Sequence, residues 1–231
     1  MAIPPRRHPI RTFLETYPHV WYLLIWIVYL MLFWLAEHLI VDKYWVSYLP
    51  IDDKIPFCRF FIIPYCAWHP LLFLMTAYLF FTDAPAFKRF VVYIGLGFGG
   101  SILFCMLFPN GQDLRPELSS LGRENFFTEL VGMIYASDTN TNVCPSMHVI
   151  GSFAAMFSVF DCKRLRRTIW APAVAVALTI LISASTVLVK QHSIVDVFWG
   201  VVASAVLFPI AYVLLRGKSN SLEKRNENSL I

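Results

Sequence analysis

Six apolar stretches divide the chain, and short segments rich in polar and charged residues separate them. A helix needs about 20 consecutive apolar residues to cross the hydrocarbon core of a bilayer. Most of the stretches approach that length, so the pattern predicts an all-α integral membrane protein with six transmembrane helices. The predicted spans are Val20 to Ile40, Phe60 to Phe81, Phe90 to Phe108, Pro145 to Phe160, Ile169 to Val189 and Ile194 to Leu215.

Two of the stretches depart from a simple span. The second contains Pro64 and Pro70, and we expect an interfacial turn or short helix before a crossing that starts near Pro70. The fourth is short, which indicates a tilted or buried helix that continues to Leu165. The first follows a basic N-terminal segment but is too long for a signal peptide and has no small-residue cleavage site after it, so we expect a retained helix.

Composition favours the same class of protein. Hydrophobic residues make up 58% of the chain, charged residues 15%, and the mean hydropathy is +0.60, whereas roughly a quarter of the residues are charged in an ordinary soluble domain. The net charge of +4 comes from basic residues in loops beside apolar runs, and no motif indicates nucleic-acid binding. The five cysteines match no zinc-binding pattern and are interpreted as small buried residues.

The distribution of basic residues predicts an orientation. With both termini in the cytoplasm, most lysines and arginines fall on the cytoplasmic side, and the basic segment 162–167 is the strongest signal. Residues 109–142 then form an extracytoplasmic loop between the third and fourth helices, and part of this loop is expected to be helical. Residues 1–216 are predicted to form one membrane domain, and residues 217–231 a disordered cytoplasmic tail.

Polar side chains gather at the predicted extracytoplasmic ends of three helices. Six crossings bring these clusters to one interface even though tens of residues separate them along the chain. One cluster follows the third helix, one begins the fourth and one begins the sixth. Their members are Gln112 and Arg115, then Ser146 and His148, then Lys190, His192 and Asp196.

The clusters have the chemistry of a phosphate site. Pro145 suits the first position of a helix, so Ser146 and His148 lie in a first turn whose free N–H groups attract an anion. His192 and Asp196 are four residues apart and share a helical face, so the carboxylate can orient the imidazole as a nucleophile or base. A His-x3-Asp spacing can also bind a metal, but the surrounding cations disfavour a divalent ion. No metal and no cofactor are therefore expected.

The motifs resemble those of the type-2 phosphatidic acid phosphatase superfamily, which are K-x6-RP, PSGH and SR-x5-H-x3-D in that order. The chain has Arg115 followed by proline, PSMH at 145–148, and Ser185, His192 and Asp196 at the family spacing. With six crossings, the resemblance covers nearly the whole chain. It implies a metal-independent enzyme with an all-helical membrane fold.

The resemblance also implies roles for individual residues. His192 corresponds to the nucleophile that forms a phosphohistidine, Asp196 to its orienting partner, and His148 to the general acid. Arg115 and Ser146 correspond to phosphate ligands.

Three positions depart from the family motifs. Phe108 and Thr186 stand where the family has a lysine and an arginine, and Met147 replaces a glycine. Lys190 can replace one missing cation, and Gln112 can hold phosphate as a neutral donor. Such reduced motifs resemble the branch that includes sphingomyelin and inositol phosphorylceramide synthases, which pass a phosphorylated headgroup to a lipid alcohol. The acceptor, water or an alcohol, is therefore open.

The first hypothesis is a lipid phosphatase acting on a lipid phosphate or diphosphate, such as phosphatidic acid, phosphatidylglycerol phosphate or a polyprenyl diphosphate. The alternative is a phospho-headgroup transferase, and a third hypothesis is a protein that binds lipid phosphate without cleaving it. The expected partners are the lipid substrate and the bilayer, not nucleic acid, and a homo-oligomer is left open. The small size and short loops favour a bacterial plasma membrane, with the active site on the extracytoplasmic side.

The remaining polar residues have simpler interpretations. Glu37 and His38, at the outer end of the first helix, could line the entrance of the site, but an interfacial pair is the favoured interpretation. Asp138, Thr139 and Asn140 are interpreted as turn formers.

Overall fold

The computed structural model describes residues 9–39, 43–121 and 125–215, which are mostly helical. The predicted tail at 217–231 lies outside the described residues. A 3-10 turn at Val20–Leu23 precedes the second helix, and a π-helical turn at Pro209–Leu214 extends the last. The helices are α1 (Pro9–Thr16), α2 (Leu24–Leu39), α3 (Ile62–Thr82), α4 (Ala84–Leu107), α5 (Phe126–Ser137), α6 (Met147–Asp161), α7 (Lys163–Arg166), α8 (Ala171–Leu188) and α9 (Ile194–Phe208).

Five helical segments are long and apolar enough to cross a membrane, which confirms the all-α membrane class. The predicted fourth span corresponds to α6, which has 15 residues. At 1.5 Å per residue this helix is about 22 Å long, whereas the hydrocarbon core is about 30 Å thick. The count of six crossings therefore stays a prediction. The five long segments are Val20–His38, Arg59–Thr82, Ala84–Leu107, Ala171–Leu188 and Ile194–Leu214.

The short helix α6 occupies the centre of the bundle, where it packs against α3, α4, α8 and α9. Its buried residues include Gly151, Ala154, Ala155 and Ser158. Small side chains let neighbouring helices approach closely, and most of α6 contacts protein as a result. This central helix carries His148 at its second residue, so the end of the bundle that holds His148 is called the histidine end below.

Two boundary predictions were wrong. The helix α3 begins at Ile62 after a 3-10 turn and continues through Pro70, so the crossing does not start at this proline. A proline inside a membrane helix is tolerated where neighbouring helices satisfy the backbone. The helix α6 ends at Asp161, because Cys162 has an extended backbone, and the separate turn of α7 follows instead of a continuous helix to Leu165.

The loops at the histidine end are joined by a small sheet. Strand β1 (Trp45–Val46) pairs in parallel with strand β2 (Asn110–Gly111), and Gly111 also bridges to Thr141. A Cβ atom on Gly111 would lie 2.6 Å from the Tyr44 ring, so the close approach of the two loops requires glycine there. The segment after α2 is thereby fixed against the long loop after α4.

The predicted helical part of that long loop is α5. It is capped by Asn125, whose side chain accepts hydrogen bonds from the N–H groups of Phe127 and Thr128. Val131 of this helix packs with Tyr65 of α3 and with Val189, which follows α8. The helix α5 therefore covers the histidine end of the bundle from one side.

Candidate active site

The two motif histidines lie side by side at the histidine end. His148 is in the first turn of α6, and His192 immediately precedes the start of α9. Their ring centroids are 5.8 Å apart, with an interplanar angle of 66°. A group held between these rings can contact both imidazoles at once.

The start of α9 fixes the position of Asp196. Ser193 caps the helix and accepts a hydrogen bond from the N–H of Val195, while the N–H of Ser193 donates to Asp196 Oδ2 at 2.9 Å. This reciprocal arrangement is a capping box, and it holds the carboxylate at the mouth of the helix. The N–H of Ser146 donates to the Asp196 carbonyl oxygen at 3.1 Å, which joins the starts of α6 and α9.

The Asp196 carboxylate is fully buried and faces His192. Its Oδ2 atom lies 3.4 Å from His192 Nδ1, which makes no hydrogen bond within the described part of the chain. Its Oδ1 atom accepts a hydrogen bond of 2.5 Å from Ser47 Oγ. The carboxylate is thus directed at one imidazole nitrogen, and the opposite nitrogen, Nε2, remains for chemistry.

Two aromatic rings of α3 enclose His148. The Tyr65 and Trp68 ring centroids each lie 4.4 Å from the His148 ring centroid, at interplanar angles of 27° and 35°. Gly151, one turn along α6, makes room for the indole, because a Cβ atom there would lie 2.7 Å from Trp68 Nε1. The two rings and the glycine therefore fix the plane of the His148 imidazole at the start of α6.

Arg115 is bound by protein acceptors. Its guanidinium donates to Gln191 Oε1 at 3.0 and 2.5 Å, to three carbonyl oxygens of residues 135, 138 and 139, and lies over the Tyr135 ring. Burial lowers the pKa of Arg115, although a guanidinium remains charged near neutral pH. Gln191 binds Arg115 through Oε1, and its buried Nε2 atom has no hydrogen-bond partner among the described residues.

Lys190 is also engaged with the protein. Its ammonium donates to the Asp52 carbonyl oxygen at 2.7 Å, and burial lowers the pKa of Lys190. The Asp52 carboxylate in turn accepts hydrogen bonds from Ser193 Oγ at 2.6 Å and from the N–H of Ile194 at 2.9 Å. The loop after α2 therefore holds the segment that carries His192.

The other two predicted phosphate ligands are buried. Gln112 accepts a hydrogen bond from the N–H of Leu114, and its Nε2 atom has no partner in the described ranges. The Ser146 hydroxyl is likewise buried without a partner there. The roles of Arg115, Ser146, Lys190 and Gln112 as phosphate ligands stay predictions.

A cavity of about 720 Å³ opens beside the histidines, within the range of roughly 300–1,000 Å³ that is usual for ligand pockets. Its polar end is lined by His148, His192, Gln191, Glu37 and Asp138. Its remaining length runs along α2 and α3 and is largely apolar. This apolar lining includes Leu23 from the 3-10 turn, Trp26, Ile27, Leu30 and Phe33 from α2, and Leu72 and Phe73 from α3.

The cavity changes the interpretation of two carboxylates. Glu37 lines the cavity, whereas its neighbour His38 is exposed, with Nδ1 2.7 Å from the Trp34 carbonyl oxygen. The two residues therefore do not act as one interfacial pair. Asp138, interpreted from the sequence as a turn former, also lines the cavity. The positions of Ser47 and Asp52 were not anticipated, since the loop after α2 has no motif that marks it.

Fold and site together define an integral membrane protein with a paired-histidine, single-aspartate centre at the end of a lipid-sized cavity. The family model described as the PAP2 superfamily matches residues 90–219, which is more than half of the chain and contains Arg115, His148, His192 and Asp196. The chain belongs to the PAP2 superfamily, the type-2 phosphatidic acid phosphatases. No curated protein and no solved structure matches the chain.

Proposed function

We propose that the protein is a membrane enzyme that hydrolyses a lipid phosphate or diphosphate through a phosphohistidine intermediate on His192. One observation carries this proposal: the histidine pair lies at the polar end of a cavity whose remaining length is apolar. A phosphate can contact both imidazoles while a lipid chain occupies the apolar part. Membership of the PAP2 superfamily supports phosphatase or phosphotransferase chemistry.

The proposed reaction has two steps. His192 Nε2 attacks the terminal phosphorus, and a P–N bond forms as the P–O bond to the leaving group breaks. The leaving group is the lipid alcohol for a monophosphate and the lipid monophosphate for a diphosphate. His148 gives a proton to the leaving oxygen, and Asp196 stabilises the imidazolium of His192. Water then attacks the phosphohistidine and loses a proton to His148, so the P–N bond breaks, inorganic phosphate leaves and His192 is restored.

Phosphate is held by groups near the histidines. Ser146 has a buried hydroxyl and Gln191 a buried amide nitrogen, neither with a partner in the described ranges, so both can donate to phosphate oxygens. Arg115 adds positive charge behind Gln191. In this conformation Lys190 and Gln112 contribute by ordering the surrounding loops, and direct contact would require their side chains to move.

The placement in the membrane is part of the proposal. The basic residues favour cytoplasmic termini, so the histidine end faces the extracytoplasmic side of a plasma membrane, and the lipid reaches the site from the outer leaflet. Single cysteines at Ser119 and Lys163 in a cysteine-free background test this placement. We expect an impermeant maleimide to label position 119 and not position 163 in intact cells, and the reverse pattern would contradict it.

The activity is tested by inorganic phosphate release from phosphatidic acid in detergent with EDTA. We expect release by the wild type and by His38→Ala, whose histidine is exposed outside the site, but none by His192→Ala. A trapped radiolabel on the wild type that is acid-labile and absent from His192→Ala would support the phosphohistidine. Undiminished release by His192→Ala would contradict the mechanism.

A transferase that moves a phosphorylated headgroup to a lipid alcohol is the second candidate. The observation that favours it is the absence of the two motif cations, since Phe108 and Thr186 stand at those positions. A phosphodiester carries one negative charge, whereas a phosphomonoester approaches two, so the diester needs fewer cations. Product formation that depends on an added lipid alcohol, without release of free phosphate, would favour the transferase over the hydrolase.

A further inference from the structure

Two carboxylates line the same end of the cavity as the histidine pair. Glu37 comes from the last turn of α2, and Asp138 follows α5. Neither has an ion-pair partner among the described residues, because the arginine nearest Asp138, Arg115, donates to its backbone carbonyl and not to its carboxylate. Negative charge beside a phosphate opposes binding, so phosphate recognition alone does not account for these residues.

Glu37 is held in place by neutral donors. Asn142 Nδ2 donates to Glu37 Oε1 at 2.7 Å, and the Thr139 hydroxyl donates to Glu37 Oε2. These contacts fix the carboxylate of α2 against segment 138–142 without neutralising its charge. A carboxylate that is positioned only by neutral donors is available to a cation on a bound molecule.

Asn142 provides a separate indication of a ligand. Its side chain is 7% exposed and lines the cavity, and its Oδ1 atom has no hydrogen-bond partner in the described part of the chain. A buried acceptor without a partner is costly, and a donor on a bound molecule would satisfy it. The acceptors of Glu37, Asp138 and Asn142 are therefore matched by a ligand that brings positive charge and N–H or polarised C–H groups.

Aromatic rings line the same cavity as these acceptors, and the Tyr65 hydroxyl lies 3.5 Å from Asp138 Oδ2. Trp26, Tyr29 and Phe33 of α2 and Tyr65 and Trp68 of α3 all line the cavity. Aromatic faces attract ammonium groups, including quaternary ones, and the attraction is strongest where water is excluded. Carboxylates combined with aromatic walls favour an alkylated or primary ammonium over a metal ion.

The polar end of the cavity thus carries both donors and acceptors. His148 Nε2 and Gln191 Nε2 lack partners among the described residues and suit the phosphate oxygens. We infer that the site binds a zwitterionic lipid, with its phosphate at the histidines and its ammonium group at a subsite formed by Glu37, Asp138 and Asn142. This inference rests on the phosphohistidine chemistry of the proposed function and specifies the substrate, and a phosphodiester source of the ammonium would extend that function beyond lipid phosphates and diphosphates. Glu37 lies outside residues 90–219, so the family match does not include this subsite as a whole.

The ammonium group can come from two sources. It can belong to the headgroup of a phosphodiester lipid, or to the lipid part of a long-chain amino-alcohol monophosphate. In both cases His192 displaces the lipid alcohol at phosphorus, and water releases the phosphate from His192. The water-soluble product is a phospho-amino alcohol in the first case and inorganic phosphate in the second.

The experiment compares three lipids in detergent with EDTA: phosphatidic acid, phosphatidylethanolamine and a long-chain 2-amino-alcohol 1-phosphate. We expect kcat/KM of the wild type to be at least about tenfold higher for one ammonium lipid than for phosphatidic acid, since close charge pairs in binding sites are worth that much. The preferred lipid identifies the source of the ammonium. Glu37→Gln and Asp138→Asn should each move the ratio towards one.

The matched control is Glu129→Gln, which makes the same change on an exposed residue of α5 and should keep the wild-type ratio. Equal or greater turnover of phosphatidic acid by the wild type would overturn the subsite and leave the proposed function standing. A wild-type ratio of the kcat/KM values in both Glu37→Gln and Asp138→Asn would also overturn the subsite. If the wild type cleaves none of the lipids, the proposed function fails. Equilibrium binding of the three lipids to His192→Ala then tests the subsite separately. Tighter binding of an ammonium lipid than of phosphatidic acid supports the subsite, and equal binding overturns it.

Discussion

Ser47 Oγ donates a hydrogen bond of 2.5 Å to Asp196 Oδ1, across 149 positions of the chain. The other carboxylate oxygen accepts from the N–H of Ser193 and lies 3.4 Å from His192 Nδ1. With one oxygen held by a loop residue and the other by the helix cap, the carboxylate has little freedom to rotate. The loop after α2 therefore positions the group that orients the proposed nucleophile.

Ser47→Ala should lower kcat with little change in KM. Loss of a hydrogen bond to a charged group costs about 1.5–3 kcal/mol, which corresponds to roughly a ten- to hundredfold decrease in rate if the cost falls on the transition state. Steady-state kinetics on the preferred lipid measure kcat and KM separately. The control is Ser119→Ala, because that hydroxyl is exposed, donates to Glu117 Oε1 and does not line the cavity. A higher KM and a lower melting temperature, with kcat unchanged, would argue that Ser47 has only a structural role.

Gly151→Ala should displace the indole that stacks on His148. The added Cβ atom would lie 2.7 Å from Trp68 Nε1, and overpacking of this kind costs about 1–3 kcal/mol. We expect a lower kcat and a changed near-ultraviolet circular dichroism signal, because the ring contact at 4.4 Å is lost. Gly99→Ala is the control, since a Cβ atom there meets no atom within 4 Å. Normal kcat in Gly151→Ala would show that the stacked indole does not assist His148.

Lys190 is expected to act as an anchor for the segment that carries His192. The residue has a left-handed backbone with φ of 56°, and its ammonium binds the Asp52 carbonyl oxygen. Lys190→Met removes the hydrogen bond and leaves that carbonyl without its partner, at a cost of about 1–3 kcal/mol. The melting temperature and kcat should both decrease, while KM changes little.

Lys190→Gly separates the contribution of the left-handed backbone at this position from that of the ammonium hydrogen bond. Glycine adopts a positive φ without strain, so this variant should be more stable than Lys190→Ala although both lack the ammonium. A direct phosphate ligand would give a different result: KM would rise several-fold in all three variants, and the melting temperature would stay at the wild-type value. That outcome would support the sequence-based prediction that Lys190 binds phosphate, and it would contradict the role of Lys190 as an anchor for the segment that carries His192.

Local signals in the sequence account for part of this site. The spacing of His192 and Asp196 predicts their proximity, although His192 precedes the cap of α9 and does not share a helical face with Asp196. Pro145 predicts a helix start near His148, but α6 begins at Met147, and the N–H of its cap Ser146 is not free because it donates to the Asp196 carbonyl oxygen. No local pattern predicts contacts between positions 47 and 196 or between 52 and 190, because they join loops that are distant along the chain. Cations were predicted to face phosphate, whereas the structure gives them carbonyl and amide acceptors, since a buried donor must be satisfied whether or not a ligand is bound.

Asp138→Asn should stabilise the protein at alkaline pH and reduce its activity on ammonium lipids. Burial, followed by the negative charge of Glu37, raises the pKa of Asp138 above its ordinary value, so the folded state binds this proton more tightly than the unfolded chain. The carboxylate therefore costs stability above its folded pKa, and this cost decreases as the pH falls and vanishes below the ordinary value of about 3.9. Melting temperatures in detergent from pH 8 to pH 4 should show Asp138→Asn above the wild type at pH 8 and converging with it at pH 4. The exposed Glu129→Gln should follow the wild type throughout, and a difference that grows on acidification would contradict the sign of the shift.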